Sequence, residues 1–200
     1  MIIMMKWSII KKKILYRGFF KLSAIELQHD LFHGGKSAVI TRELLDKGNA
    51  VAVLPYDPVR DEVVLVEQFR IGAGDDKSGP WLMETIAGYQ EVGESAQTVA
   101  MREAGEEAGC KVSDLQSMCK YYSSPGGESE QIQIFLGRTD SSNVQGIHGL
   151  DEEGEDIKVH VIRSQQAFDW LDNGRINSAA PIIALQWFRL NRARIRNEWL

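Results

Sequence analysis

The chain has 200 residues, with 23 Lys and Arg set against 28 Asp and Glu, a formal net charge of −5. Hydrophobic residues at 44% and charged residues at 26% are ordinary globular values, which exclude a disordered or fibrous chain. The acidic balance argues against a dedicated nucleic-acid binder, which carries a basic face, but leaves a nucleotide substrate open, because a divalent metal reverses local charge.

The apolar start, Met1-Ile2-Ile3-Met4-Met5-Lys6-Trp7, is interrupted by Lys6 and then Lys11-Lys12-Lys13, and no small-residue cleavage site follows. It does not match a signal peptide, and no apolar run approaches the length of a bilayer span. The two cysteines, Cys110 and Cys119, are too few for a disulfide framework and lack CxxC spacing. A reduced, cytoplasmic setting is expected, with no membrane and no nucleic acid as partner.

Along the chain, Phe20 to Leu27 alternates polar and apolar residues as a strand does. Residues 1–46 hold too little apolar material for a core and are expected to pair with the main domain or with a second subunit. Asn49 to Leu54 reads as an apolar strand, Asp57-Pro58 and Asp61 mark a turn, and Glu62 to Phe69 reads as the second arm of a hairpin. Gly72 to Pro80 is expected to be a mobile loop, and Trp81 to Ala87 one short strand ending at Gly88. Ser95 suits an N-cap, with a helix running to Ala108 and Gly109 at the C′ position. Val112 to Tyr122, Gln131 to Leu136 and Ile157 to Ile162 read as strands, and Ser141 to Asp156 as a long loop. Gln165 to Asn173 and Ile182 to Arg196 have helical spacing. This order predicts a mixed sheet between helices.

On the helix after Ser95, Met101, Ala104 and Ala108 are expected to share one face, with Glu103, Glu106 and Glu107 on the opposite one. Glu103 and Glu107 form a like-charged i,i+4 pair, which costs an isolated helix about 0.2–0.5 kcal/mol. A hard cation such as Mg²⁺ removes that cost, since it prefers oxygen ligands. Gly88 is expected to allow a sharp turn into the preceding loop and to free the Ala87 carbonyl for the same metal. Arg102 can reach back to Glu94. Gly105 costs about 1 kcal/mol against alanine, for which close packing on the sheet is the expected reason.

By itself Glu-x-x-Glu-Glu is most often a solvated helix face. The complete pattern is more demanding: Gly88, Glu94, Arg102, Glu103, Glu106, Glu107 and Gly109 occupy fixed spacings. A chance match is on the order of 10⁻⁸ per start position at average residue usage. This segment resembles the signature box of the Nudix hydrolase family. Cys110 stands where a larger aliphatic residue is usual, and Ala104 is a small member of its class. Pro125, within Ser124-Pro125-Gly126-Gly127 and sixteen residues after Gly109, resembles the marker of the ADP-ribose pyrophosphatase subgroup. So do Glu67-Gln68-Phe69-Arg70, Gly146 to Leu150, Glu155-Asp156-Ile157 and Ala184-Leu185-Gln186-Trp187, and the likeness covers roughly residues 14–200.

The resemblance implies an α/β/α sandwich with a mixed sheet, preceded by a small β-rich subdomain. It divides the chain into residues 1–46, a dimerisation and substrate-contact segment, and residues 47–200, the hydrolase domain. It implies hydrolysis of ADP-ribose or a related ADP-sugar to AMP and a sugar phosphate with Mg²⁺, for which Mn²⁺ can substitute. The metal ligands would be the Ala87 carbonyl, Glu103, Glu107 and Glu155, with Glu106 in support or at another ligand position. Glu153 would be the general base, although Glu152, Glu153 and Glu155 can each be cast in that loop's roles. Arg70 would bind the diphosphate and Glu130 the terminal ribose, with Tyr89 lining the same pocket. Phe19 and Arg42 would sandwich the adenine with a contribution from the other subunit of a homodimer, and Glu43 and Lys47 would touch the same nucleotide. The alternatives are a hydrolase of GDP-mannose or another nucleoside diphosphate sugar and, from another class, a nucleotide-sensing module without turnover. The second is expected to have lost box carboxylates, and here all are present.

Overall fold

The computed structural model describes residues 4–200, so the expectation about Met1-Ile2-Ile3 lies outside the described residues. The chain separates into two compact units. One runs to Asn49 and takes in Tyr122–Gln131. The other comprises Ala50–Tyr121 and Ile132–Leu200.

The first unit is an antiparallel three-stranded sheet of β1 (Trp7–Arg17), β2 (Lys21–His29) and β3 (Ile40–Asp46), in that spatial order. Its β1 residues are all exposed, and in β2 only Ser23 and Ile25 are buried. The sparse core expected from composition is thus a fact of the sheet. Two register shifts, between Ile9 and Lys11 and between Ile14 and Tyr16, bend β1, which makes a long edge a poorer template for another strand.

The second unit is a mixed sheet in the order β10-β11-β5-β4-β9-β8, with β6 on β5 and β7 on β4. The strands are β4 (Ala50–Asp57), β5 (Glu62–Phe69), β6 (Trp81–Glu84), β7 (Ile86–Tyr89), β8 (Ser113–Tyr122), β9 (Gln131–Arg138), β10 (Ile147–His148) and β11 (Ile157–Arg163). β4 and β9 run parallel. The helices are α1 (Ala96–Ala108), α2 (Ser164–Asp172) and α3 (Ala179–Trp199). Both faces of the sheet are covered, so β4 and β5 read as nearly continuous apolar runs. Val51, Val53, Val64 and Val66 join α1 in one core. Ala52, Leu54, Tyr56, Val63 and Leu65 join α2 and α3 in the other.

The expected single strand at Trp81–Ala87 is two. β4 and β5 pair only beside their turn, Tyr56 with Val63 and Asp57 with Glu62, and diverge beyond it. β6 stays on β5, with Glu84 opposite Val66, while β7 crosses to β4, with Ala87 opposite Ala52. Thr85 is the joint, and the strand pairing continues through Gly88 to Tyr89. The expected loop at 141–156 also holds β10 and a 3₁₀ turn at Asp151–Glu153. α3 starts three residues before the expected Ile182, because Pro181 falls in its first turn, where no N–H is needed.

The β4–β5 turn is pinned by two aspartates. Asp57 accepts from the N–H groups of Val59, Arg60 and Ser141 at 2.9–3.0 Å, and from Ser141 Oγ and Arg60 Nη1. Burial alone pushes this carboxyl up, but these donors prevail and hold it down at about 2. Asp61, in left-handed backbone at φ 57°, ties Tyr56, Ser164 and Arg192 together. No helix among the described residues is long and apolar enough to cross a membrane.

Candidate active site

α1 is capped as its sequence requires. Ser95 Oγ accepts from Thr98 N at 3.1 Å, and Gly109 closes the helix at φ 58°, its N–H bonded to Gly105 O. The helix buries Val99, Ala100, Glu103, Ala104, Glu107 and Ala108. Two expectations therefore change. Met101 does not share the buried face with Ala104 and Ala108 but is 49% exposed. Glu103 and Glu107 do not lie opposite Ala104 and Ala108 but are buried beside them, being 9% and 2% exposed. A pair of i,i+4 residues beside the alanine stripe falls within the broad arc that the helix turns to the sheet.

Gly88 explains how the acids fit. A Cβ there would fall inside the carboxylate of Glu103. The residue sits in paired strand β7 rather than at a sharp turn, so the lack of a side chain is what matters. Gly105 has the opposite character: it is exposed, and a Cβ there would meet nothing within 4 Å, so close packing does not account for it.

Glu107 Oε2 accepts from Ala87 N at 3.0 Å. Burial pushes the Glu107 carboxyl up to about 8; the Ala87 N–H and the charge of Arg70 oppose the rise, and Glu103 and Glu155 add to it. Burial also raises Glu103, against the pull of Arg102. Arg102 spans the helix start, reaching Glu94 at 3.3 Å as expected, Glu103 at 2.7 Å and Glu106 at 2.8 Å. It also reaches the Tyr89 carbonyl at 3.4 Å. Glu155 Oε2 accepts from Leu150 N at 3.1 Å, and a Cβ at Gly149 would collide with Glu155. Glu153 is exposed on the 3₁₀ turn. Arg70 follows β5 and donates through Nε to Glu84 at 2.7 Å.

Glu103, Glu107 and Glu155 thus lie within one another's fields, and Arg70 within that of Glu107. Among the described residues no three acidic, thiol or imidazole groups converge as a closed metal site. Each of these carboxylates is instead turned to an internal partner: Arg102, Ala87 N–H or Leu150 N–H. The donor chemistry still fits a hard divalent cation, because the groups are all oxygen donors and three carboxylates are gathered where Arg102 and Arg70 offset their charge only in part.

The remaining expected contacts belong to the first unit. Lys47 Nζ pairs with Glu128 at 3.0 Å and Glu130 at 3.2 Å, and lies 6.0 Å from the centre of the Phe20 ring. Phe19 is 85% exposed in the β1–β2 turn, edge-on to Phe20. Arg42 and Glu43 are exposed neighbours on β3, opposite Ile25 and Ala24, so they point to opposite faces of the sheet. Arg42 pairs with Ile25, four residues along β2 from its start at Lys21.

The sequence reading missed Glu84 and Glu128. A lone acid in the apolar run Trp81-Leu82-Met83-Glu84 was a usable signal for the first. Glu128 follows Gly126-Gly127 with nothing local to mark it.

A NUDIX domain profile matches residues 46–186. The chain is 48% identical over 192 residues to an ADP-ribose pyrophosphatase of Escherichia coli strain K12, covering 96% of this chain and 92% of that protein. It is 49% identical over 195 residues to an ADP-ribose pyrophosphatase of Haemophilus influenzae, covering 96% and 90%. A GDP-mannose pyrophosphatase of Enterobacter sp. strain 638 is more distant, at 31% over 190 residues, covering 94% and 97%. A crystal structure of an ADP compounds hydrolase superimposes with a TM-score of 0.71 over 96% of this chain and 97% of that one, at 21% identity. That likeness is one of fold, and it matches the mixed sheet with helices on its two faces. The complete carboxylate box, the profile match and the near full-length likenesses agree: the chain belongs to the NUDIX domain family.

Proposed function

We propose that this chain is a pyrophosphohydrolase that cleaves the diphosphate of ADP-ribose to AMP and ribose 5-phosphate with Mg²⁺. The observation that carries the reaction class is the buried acid pair Glu103 and Glu107, fitted against side-chain-free Gly88 and backed by Glu155. The substrate follows the relatives at 48–49% identity rather than those at 31%.

The residues present have stated tasks. The Ala87 carbonyl, Glu103, Glu107 and Glu155 would hold the cation, with Glu106 in support. When bound, the metal neutralises the diphosphate and makes the attacking water more acidic. Arg70 binds the diphosphate through its guanidinium fork. Glu153, on an exposed turn able to move toward substrate, accepts the proton of the attacking water. Tyr89 and Glu130 bind the sugar side, and Phe19, Arg42, Glu43 and Lys47 the nucleoside. Stacking of a base between an aromatic ring and a guanidinium is favourable. A homodimer with substrate contacts from both subunits is part of this reading, and the all-exposed β1 and sparsely buried β2 of the first unit support it. A cytoplasmic setting is supported by the free thiols Cys110 and Cys119.

The test is product analysis of purified protein with Mg²⁺, offered ADP-ribose and GDP-mannose side by side, with and without chelator. Chelator-sensitive AMP and ribose 5-phosphate from ADP-ribose are expected. Preferred cleavage of GDP-mannose overturns the substrate and keeps the reaction class. Turnover of neither overturns the substrate and favours another nucleoside diphosphate substrate or the nucleotide-sensing module.

A further inference from the structure

Arg70 and Glu84 form a pair whose geometry goes beyond the role given to Arg70 alone. Glu84 ends β6 opposite Val66, which belongs to the α1 core. Arg70 lies four residues past Val66, so the even spacing puts it on the same face of the sheet. The Glu84 side chain is 17% exposed and that of Arg70 45%. Glu84 Oε2 accepts from Arg70 Nε at 2.7 Å, and neither Nη of Arg70 donates to a partner among the described residues.

Glu84 is also rigidly linked to the acid cluster. It precedes the Thr85 joint, after which Ala87 holds Glu107 through its N–H. A half-exposed ion pair adds little to stability. What this one does is restrain the plane of a guanidinium: with Nε engaged, the two Nη groups remain as a fork suited to phosphate oxygens.

We infer that Glu84 is a positioning residue, holding Arg70 by Nε so that its two Nη groups are presented to the diphosphate. The inference rests on the reading of Arg70 as the diphosphate ligand. In this role Glu84 acts through Arg70 rather than on the substrate.

The experiment is a double-mutant cycle on kcat/KM for ADP-ribose with Mg²⁺, using Arg70→Ala, Glu84→Ala, Glu84→Gln and the Arg70→Ala/Glu84→Ala pair. Arg70→Ala is expected to lose about 100-fold and Glu84→Ala about 10-fold. Glu84→Gln keeps an acceptor for Nε and should recover part of that loss, with the unfolding midpoint of wild type. The pair should be no worse than Arg70→Ala alone. Glu84→Ala at wild-type activity beside an impaired Arg70→Ala overturns the positioning role and leaves the reading of Arg70 intact. So does the same 10-fold loss in both backgrounds, which means a route other than Arg70. Arg70→Ala at wild-type activity overturns the reading of Arg70 and this inference with it.

Discussion

Two buried carboxylates in the same unit have opposite fates. Asp57, at the β4–β5 turn, is 1% exposed and held down at about 2. Glu107, on α1, is 2% exposed and pushed up to about 8. Both are nearly sealed from solvent, but Glu107 lies deeper and burial is the largest push on it, whereas at Asp57 the donors outweigh a smaller burial cost. Asp57 receives three backbone N–H groups, a hydroxyl and a guanidinium. Glu107 receives one N–H and lies in the fields of two more carboxylates, Glu103 and Glu155. A carboxylate supplied with donors fastens a turn. One gathered with its own kind stores repulsion that a cation can relieve, and that is the difference between scaffold and site.

The sharpest way to break this comparison is to remove charge from the α1 cluster. Glu103→Gln and Glu107→Gln should each lower kcat/KM by about 1,000-fold or more, since electrostatic stabilisation of the transferring phosphoryl group depends on them. Circular dichroism should show the fold retained, with the unfolding midpoint in chelator no lower than wild type. Wild-type turnover in either variant contradicts the site.

Asp57→Ala should do the reverse. It strands the Arg60 and Ser141 donors and should cost about 3 kcal/mol in urea unfolding, with turnover per folded molecule unchanged. The milder version is titration. The Asp57 carboxyl is lowered in the folded state, so its contribution is fully present above its unfolded value near 3.8 and disappears as pH falls through about 2. About 2 kcal/mol of stability should be lost between pH 4 and pH 2 in wild type, and Asp57→Asn should lack that share of the slope.

Gly88 and Gly105 should respond differently, and Gly105 carries the smallest expected effect. Gly105→Ala, on the exposed side of α1 with open space around it, should raise stability by about 0.5–1 kcal/mol and leave kcat/KM alone. Gly88→Ala, where a methyl group collides with Glu103, should abolish activity.

These contrasts also show what could be read in the chain beforehand. α1 was legible to its caps, because Ser95 and Gly109 carry their own local chemistry. Glu62–Phe69 was legible as a strand because both of its faces are apolar. The β6–β7 break was not: Trp81–Glu84 and Ile86–Tyr89 look like one run, and only the divergence of β4 from β5 splits them. The acids were legible as a set from their spacing, but not their burial, since Met101 looked the better core residue. Glu84 was overlooked as Arg70's partner because their contact joins two strands across a loop. The placement of Arg42 opposite Ile25 depends on the β2–β3 register, which no local pattern sets.

The proposed cation site of Glu103, Glu107 and Glu155 is tested most directly by Mn²⁺ binding followed by electron paramagnetic resonance. Wild type should take up the ion, and Glu103→Gln and Glu107→Gln should bind it far more weakly while remaining folded. Equal binding by wild type and both variants would contradict the site, and with it the function built upon it.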